Sequence, residues 1–576
     1  AAMAIVAGTG GAFSAWALLK LIYFATNIFW YGNFSFDSSV IAGRGPLLLV
    51  LVPVVGGLII GLMARFGSDK IRGHGIPEAI ETILFGESKL SMKVALLKPL
   101  SSAVSIGSGG PFGAEGPIIM TGGAIGSLFA QFLRLTADER KTLLVAGAAA
   151  GMAATFNAPL SSLVLAVELL LFEWRPRSFV PVAAAVSVAT IIRQPLLGSG
   201  ALFLSHVDLH ITGPVYGLCV VSGVASALLA IIATGLVYAS EDAFRRLPIH
   251  WMWWPAIGGL VIGVGGLFVP EALGVGYNII DAELTGSIGL GLVAGVLIVK
   301  TLIWSLSLGS GTSGGVLAPM FMIGGALGTL EAQIFPDVGP GFWALIALAG
   351  VLGGVMRSPV TGVVFALELT HQYEALLPLM IGATTAFAVS VLLLKRSVLT
   401  EKIARRGYHL TREYDVDPLE IIFVSEVMSE DVLEFEDDLT VGEAVRAIGS
   451  PVEADLGWRQ RLYPVVDTAG RFQGVVTRSR LLGANSQGDG STPVAELMNS
   501  PVAVTHGDQT LRHLAEVMAE AEVNRVPVVD REDPTRVIGM VTLTQLLAAR
   551  ERDRYEARER ERVLRVRLVA PVWVRS

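Results

Sequence analysis

Two glycine-rich segments, GSGGPFGAEGPIIMTGGAIGSLFAQF at 107–132 and GSGTSGGVLAPMFMIGGALGTLEAQIF at 309–335, repeat one pattern inside a strongly apolar stretch of chain. A second pair follows them: FNAPLSSLVLAVELL at 156–170 and MRSPVTGVVFALELT at 356–370. Pro117 and Pro319 are 202 positions apart, and Glu168 and Glu368 are 200 apart. Two blocks at nearly one offset indicate an internal duplication. The duplicated unit cannot be an ordinary soluble layer. Apolar runs at roughly 1–30, 46–65, 212–239, 252–268, 287–308 and 375–394 read as membrane helices. Several runs between them, such as 142–156, 159–173 and 359–370, are shorter than the ~20 residues a spanning helix needs. Short, Gly/Pro-interrupted segments in matching places predict half-helices that end inside the membrane. Such ends are tolerated only where they line a cavity or are buried in protein. The pattern leaves open whether the two halves run parallel or inverted.

Composition separates two solvents. The chain of 576 residues is 52% hydrophobic and 16% charged, with mean hydropathy +0.61, whereas a soluble protein averages about 25% charged. The apolar excess lies in the first four hundred or so residues, and the rest is ordinary charged sequence. The net charge of −7 averages the two parts and carries no information on partners. Cys219 is the single cysteine, so no intrachain disulfide forms. The run AAMAIVAGTGGAFSAWALLKLIYFA lacks a basic leader and is long, so it reads as a first membrane helix rather than a secretory signal. Basic residues flank several runs: Arg65, Lys70 and Arg72; Arg134, Arg140 and Lys141; Arg175 and Arg177; Arg245 and Arg246; and Lys395, Arg396, Lys402, Arg405 and Arg406. The positive-inside tendency puts these sides, and everything beyond the last run, in the cytoplasm.

The C-terminal part is itself duplicated. VSEVMSEDVLEF at 424–435 matches VAELMNSPVAVT at 494–505, and RLYPVVDTAGRFQGVVTRSRLL at 461–482 matches NRVPVVDREDPTRVIGMVTLTQLL at 524–547. Each unit reads as a short strand, a helix, a β-branched strand, a turn, another strand and a helix. The expected domains are therefore a membrane domain at 1–410, a paired α/β domain at 411–550 (424–485 and 494–550), and a charged tail at 551–576. Alternating charge in the tail predicts a solvated or interfacial helix.

The chemistry concentrates at the starts of the half-helices. In GAEGP, Gly113 and Gly116 allow a turn and a close backbone approach, and Pro117 suits a first helical position. A helix starting there points free N–H groups back at the glycines, which makes an anion site. Glu115 is then a tethered anion at that site, where pairing offsets the cost of a carboxylate at membrane depth. GVLAP at 315–319 offers the same N–H groups without the acid. GHGIPE at 73–78 brackets His74 with glycines and starts a helix at Pro77. Three such starts suggest N-termini converging on one dehydrated anion; the competing reading is close helix packing through small residues.

GHGIPE, GAEGP and GGVLAP resemble the three signature loops of the CLC family of chloride channels and chloride/proton antiporters, whose usual forms are GSGIP, GREGP and GxFxP. FNAPLSSLVLAVE and MRSPVTGVVFALELTHQY are also similar to that family, and the resemblance covers about 1–410. It implies an α-helical polytopic domain of inverted repeats with half-helices, assembled as a homodimer with one pore per subunit. The C-terminal repeat resembles a cytoplasmic pair of CBS modules. Residue by residue, Glu115 matches the gating glutamate, and Gly116 lies beside it. Val316 and Leu317 match residues whose backbone N–H groups hold the central anion. His74, Gly75 and Ile76 match the loop that carries a serine hydroxyl on the anion; an imidazole there could donate to the anion or fill space. Leu399 stands where the family has a pore tyrosine. Leu169 replaces the internal proton glutamate of the antiporters, while Glu168, which pairs with Glu368, reads as structural but remains a possible proton path with Glu115.

These features imply passive, Glu115-gated chloride conduction, with chloride/proton antiport or transport of nitrate, bicarbonate or fluoride as alternatives. The expected partners are small anions, protons under the antiport alternative, membrane lipid and a second copy, without nucleic acid. The expected location is a bacterial inner membrane. In the CBS pair, Arg480 and Gln545 occupy places where nucleotide-binding members have an aspartate for the ribose. A structural or dimerising role is therefore expected, with no cofactor beyond the anion. An enzyme is not expected, because no Walker A or CxxC motif is present. His206 and His210 have an i, i+4 spacing, but HVDLH lacks the glutamate of a zinc protease motif.

Overall fold

The computed structural model describes residues 2–551 apart from 87, 134, 173, 201, 204–208, 395, 406–418, 420–421, 449–459, 501 and 550. His206, Arg134, Lys395, Arg406 and the expected tail helix from 552 onward lie outside the described residues. The chain divides into two units, Ala1–Arg412 and Glu413–Ser576.

Among the described residues of the first unit, the α-helices before Leu394 fall into two sets of eight. The first set is α1 (Ala2–Thr26), α2 (Pro46–Phe66), α3 (Ile76–Phe85), α4 (Met92–Gly107), α5 (Glu115–Phe132), α6 (Ala137–Phe156), α7 (Pro159–Leu165, continued by a π-helical turn to Leu171) and α8 (Pro176–Leu197). The second set is α9 (Gly213–Arg245), α10 (Trp254–Phe268), α11 (Tyr277–Leu284), α12 (Leu290–Gly309), α13 (Leu317–Glu331), α14 (Phe342–Met356), α15 (Pro359–Thr370) and α16 (Leu376–Leu393). A short α17 (Val398–Arg405) closes the unit. Among the described residues, seven helices are long and apolar enough to cross a membrane. Pro159–Leu171, α13, α14 and α15 are shorter apolar helices. Every residue of α14 is buried, so this helix, apolar all round, lies in the interior of the unit.

The two sets are related by reciprocal contacts. A Cβ on Gly57 of α2 would collide with the carbonyl of Pro255 in α10, and a Cβ on Gly259 of α10 would collide with that of Pro53 in α2. Each glycine thus lets the backbones touch, as small residues do between membrane helices. When residue i meets j′ and i′ meets j, a local twofold relates the halves. The N-termini of α5 and α13 also meet, through an antiparallel bridge between Gly113 and Gly315. These contacts are those of an inverted repeat built partly from half-helices.

One expectation shifts. α5 begins at Glu115 and α13 at Leu317, so Pro117 and Pro319 are third rather than first residues of their helices. Proline lacks an N–H that is left without an intrahelical partner anywhere in the first turn, so its position does not fix the start.

Among its described residues the second unit contains two three-stranded sheets. Strands β1 (Phe435–Glu436), β2 (Leu462–Val466) and β3 (Phe472–Thr477) form one, and β4 (Thr505–His506), β5 (Arg525–Val529) and β6 (Val537–Thr542) the other. In each, the first pair is parallel and the second antiparallel. The β-branched strands face small separate cores, with Tyr463, Val465 and Val476 in one and Val526, Val528 and Val541 in the other. Thr440, Thr477 and Thr510 cap the helices that cover them.

Candidate functional site

Glu115 opens α5 and is wholly enclosed. Its Oε1 accepts a hydrogen bond from the Ala318 N–H at 3.2 Å, the second residue of α13. Its Oε2 is buried without a hydrogen-bond partner. The carboxylate therefore occupies the N-terminus of a helix from the opposite repeat. That position has unsatisfied N–H groups and the positive end of the helix dipole, which favour any anion. Gly113 and Gly315 make the room: a Cβ on either would collide with the Glu115 side chain.

The third loop is held against the other two by backbone contact. A Cβ on Gly116 would collide with the His74 carbonyl and lie 3.5 Å from Gly315 Cα. A Cβ on Gly75 would lie 2.8 Å from the Gly116 carbonyl oxygen. Gly116 is thus selected for close approach rather than for a turn, since it is helical. The turn belongs to Gly73 and Gly75, whose φ values are 85° and 88°. His74 is buried, and its Nδ1 has no hydrogen-bond partner. The Gly75 N–H donates to Glu78 Oε2 at 3.0 Å, so it serves the cap of α3. Ile76, the first residue of α3, is fully buried, as are Val316 and Leu317 at the start of α13. Leu399 is fully buried on α17, which packs on α3 and is tied to it by the ion pair of Lys402 with Glu78.

Glu168 is placed elsewhere. Its Oε2 accepts from the N–H of Thr361 at 3.0 Å and from that residue's hydroxyl at 2.5 Å. Glu368 accepts from the N–H groups of Leu160 and Ser161 at 2.8 and 2.7 Å. Each acid, at the end of one half-helix, caps the start of its counterpart in the other repeat.

Sequence reasoning missed the residues that hold the loops. Lys98, fully buried on α4, donates to the carbonyls of Ile71 and Gly73 at 2.8 and 2.7 Å. Lys300 on α12 does the same to Ala272 and Gly274 at 2.9 and 2.6 Å. The two lysines are 202 positions apart, the offset of the glycine-rich segments, so that offset was the available signal. Ser313 on the loop before α13 bonds Ser102 at 2.9 Å and Ser101 at 3.2 Å. Tyr238 on α9 was also missed; its hydroxyl donates to the carbonyl of Val398, next to Leu399.

Residues 56–391 match the family model described as "Voltage gated chloride channel", and 424–486 and 494–552 match "CBS domain". The chain is 30% identical over 371 residues to a "Putative chloride channel protein ClcB-like" of Ralstonia nicotianae, covering 62% of this chain and 85% of that one. Its fold resembles "X-ray crystal structure of a slow cyanobacterial Cl-/H+ antiporter", with TM-score 0.61, 22% identity, and 70% of this chain and 97% of that one covered. It also resembles "Crystal Structure of a eukaryotic CLC transporter", with TM-score 0.59, 20% identity, and 94% and 97% covered.

Proposed function

The chain belongs to the voltage gated chloride channel family, with a CBS pair after the membrane domain, and from that premise we propose that it moves chloride across a membrane through a pathway gated by Glu115. The observation that carries the reading is the Glu115 carboxylate on the Ala318 N–H at the start of α13. A tethered anion occupies the position a mobile anion would take, so conduction requires the carboxylate to leave. Members of this family are channels and transporters, and the relative from Ralstonia nicotianae is named a chloride channel.

The mode we propose is passive conduction. Its support is that Leu169 is a buried apolar residue and Glu168 is engaged in capping α15, so neither offers a free acid on a proton route. Antiport is the second reading, favoured by Glu115 itself: a fully enclosed carboxyl with one unpartnered oxygen is a natural proton carrier when it swings. The basic flanks, Arg72 and Arg245 among them, support a bacterial inner-membrane location with the CBS pair in the cytoplasm.

Purified protein in liposomes under a chloride gradient tests both readings, with chloride and proton movement recorded together. Chloride flux without proton movement is the expected result. Uphill proton movement abolished by Glu115→Gln would establish the antiporter. No movement of chloride, nitrate, bicarbonate or fluoride would refute the transport reading.

A further inference from the structure

Gly325 follows Ala318 by seven residues on α13, so the two share a face of that helix, about 10 Å apart along its axis. Ala318 holds the Glu115 carboxylate, and Gly325 receives a second acid. A Cβ on Gly325 would lie 2.2 Å from Oε2 of Glu283, so a glycine again makes room for a carboxyl from another element. Glu283 lies in the last turn of α11 and is 1% exposed. Both of its oxygens are buried without a hydrogen-bond partner. Its charged neighbour is Lys300, whose ammonium is engaged with the carbonyls of Ala272 and Gly274. Among the described residues no ion pair joins the two. The first repeat differs: there Glu78, the acid beside Lys98, is bonded to Lys402 and to the Gly75 N–H. Of the helices packed on α11, α14 carries no titratable side chain and α13 only Glu331, at its far end. On α11 itself the others are Tyr277 and the exposed Asp281.

The course of α12 places this acid in the membrane. The helix runs from Leu290, just after an exposed polar turn at Thr285–Ser287, to Gly309 on the wall of a cavity of about 860 Å³ beside His74. Its 20 residues span about 30 Å. Glu283, two residues before the turn, is therefore on the side away from that cavity and a short step from solvent. An ionised carboxylate without partners in such a place is costly, and a proton removes the charge. We propose that Glu283 is a second proton-binding carboxyl of this unit, which exchanges protons through the 285–287 turn and sets the pH response of anion flux. Admitting a mobile anion while Glu115 stays ionised adds a negative charge to this face of α13. A protonated Glu283 leaves that step unopposed, and an ionised one repels the incoming anion. Across about 10 Å, at an effective dielectric of about 20, the difference in anion occupancy is roughly tenfold. The site rests on the anion-transport reading above and adds the proton to the ions this unit binds.

The test uses the full chain in liposomes, with the same pH on both sides, and two variants. Wild-type chloride flux is expected to fall roughly tenfold as rising pH ionises Glu283. Glu283→Gln, a neutral isostere, should keep the acid-side flux over that range, and Glu283→Asp should restore the fall. Difference infrared spectra of the same samples are expected to show a protonated-carboxyl C=O band that titrates with the flux and is absent from Glu283→Gln. Flux with the same pH profile in wild type and Glu283→Gln overturns the site and leaves the transport reading intact. A titrating band lost in Glu283→Gln, in a protein that moves no anion, overturns the transport reading and leaves the proton site.

Discussion

At the scale of single residues, the competition at the start of α13 sets the expected behaviour. A hydrogen bond to a charged group contributes about 1.5–3 kcal/mol, so removing the Glu115 carboxylate should raise occupancy of that N-terminus by a mobile anion roughly tenfold or more. Glu115→Ala is therefore expected to increase passive anion flux and to abolish any proton coupling; a variant with flux at or below wild type would show that Glu115 does not obstruct the path. Gly116 has a different sensitivity. Its missing Cβ is what allows the His74 carbonyl to approach, and backbone cannot give way as a flexible side chain can. Gly116→Ala should lower Tm by the equivalent of about 1–3 kcal/mol and suppress flux, whereas a Cβ at Gly113 meets the Glu115 side chain first, so Gly113→Ala should change gating more than stability. For His74, whose Nδ1 is buried and unpartnered, replacement by serine is expected to alter anion selectivity. Unchanged selectivity and pH dependence in His74→Ser would remove the histidine from the filter. Much of this site was legible beforehand because glycine and proline mark a helix start in the sequence itself. The donor of the Glu115 hydrogen bond was not, since pairing the Ala318 N–H with Glu115 depends on how two distant segments pack.

At the scale of elements, the duplication explains which features could be read and which could not. The offset of about two hundred residues was visible where glycine and proline make a pattern dense enough to align. It was invisible at α3 and α11, where only GHG at 73–75 and GVG at 274–276 remain alike. There the matching features are contacts, the Lys98 and Lys300 ammonium groups on paired loop carbonyls, which no local pattern encodes. The exchange of caps between α7 and α15 gives a prediction at this scale. Thr361→Val and Ser161→Ala each remove a hydroxyl from a carboxylate and are expected to cost about 1 kcal/mol, read as similar drops in thermal stability. Glu168→Gln should also act on stability first. If it instead abolished proton movement with no loss of stability, the acid would belong to a proton path and its capping bonds would be incidental.

At the scale of the whole molecule, the question is whether the second unit reports a ligand to the first. An adenosine ribose presents hydroxyl groups that need an acceptor. At the first of the two equivalent places stands Arg480, whose guanidinium donates only and is bonded to Asn499 Oδ1 at 2.6 Å. At the second, Gln545 Oε1 already accepts from the N–H and hydroxyl of Thr542 at 2.8 and 2.9 Å, and its Nε2 donates to Ser429 at 2.9 Å. A nucleotide would have to displace two hydrogen bonds to reach the only acceptor of the two side chains. Calorimetry on the full chain is therefore expected to give no binding heat with ATP or AMP at millimolar concentration, and chloride flux should be unchanged by either. Saturable heat that disappears in Gln545→Ala would overturn this and make the second unit a nucleotide sensor. If no heat is seen, the unit's contribution is mechanical, and a chain ending at Arg412 should lose stability or assembly rather than a response to nucleotide.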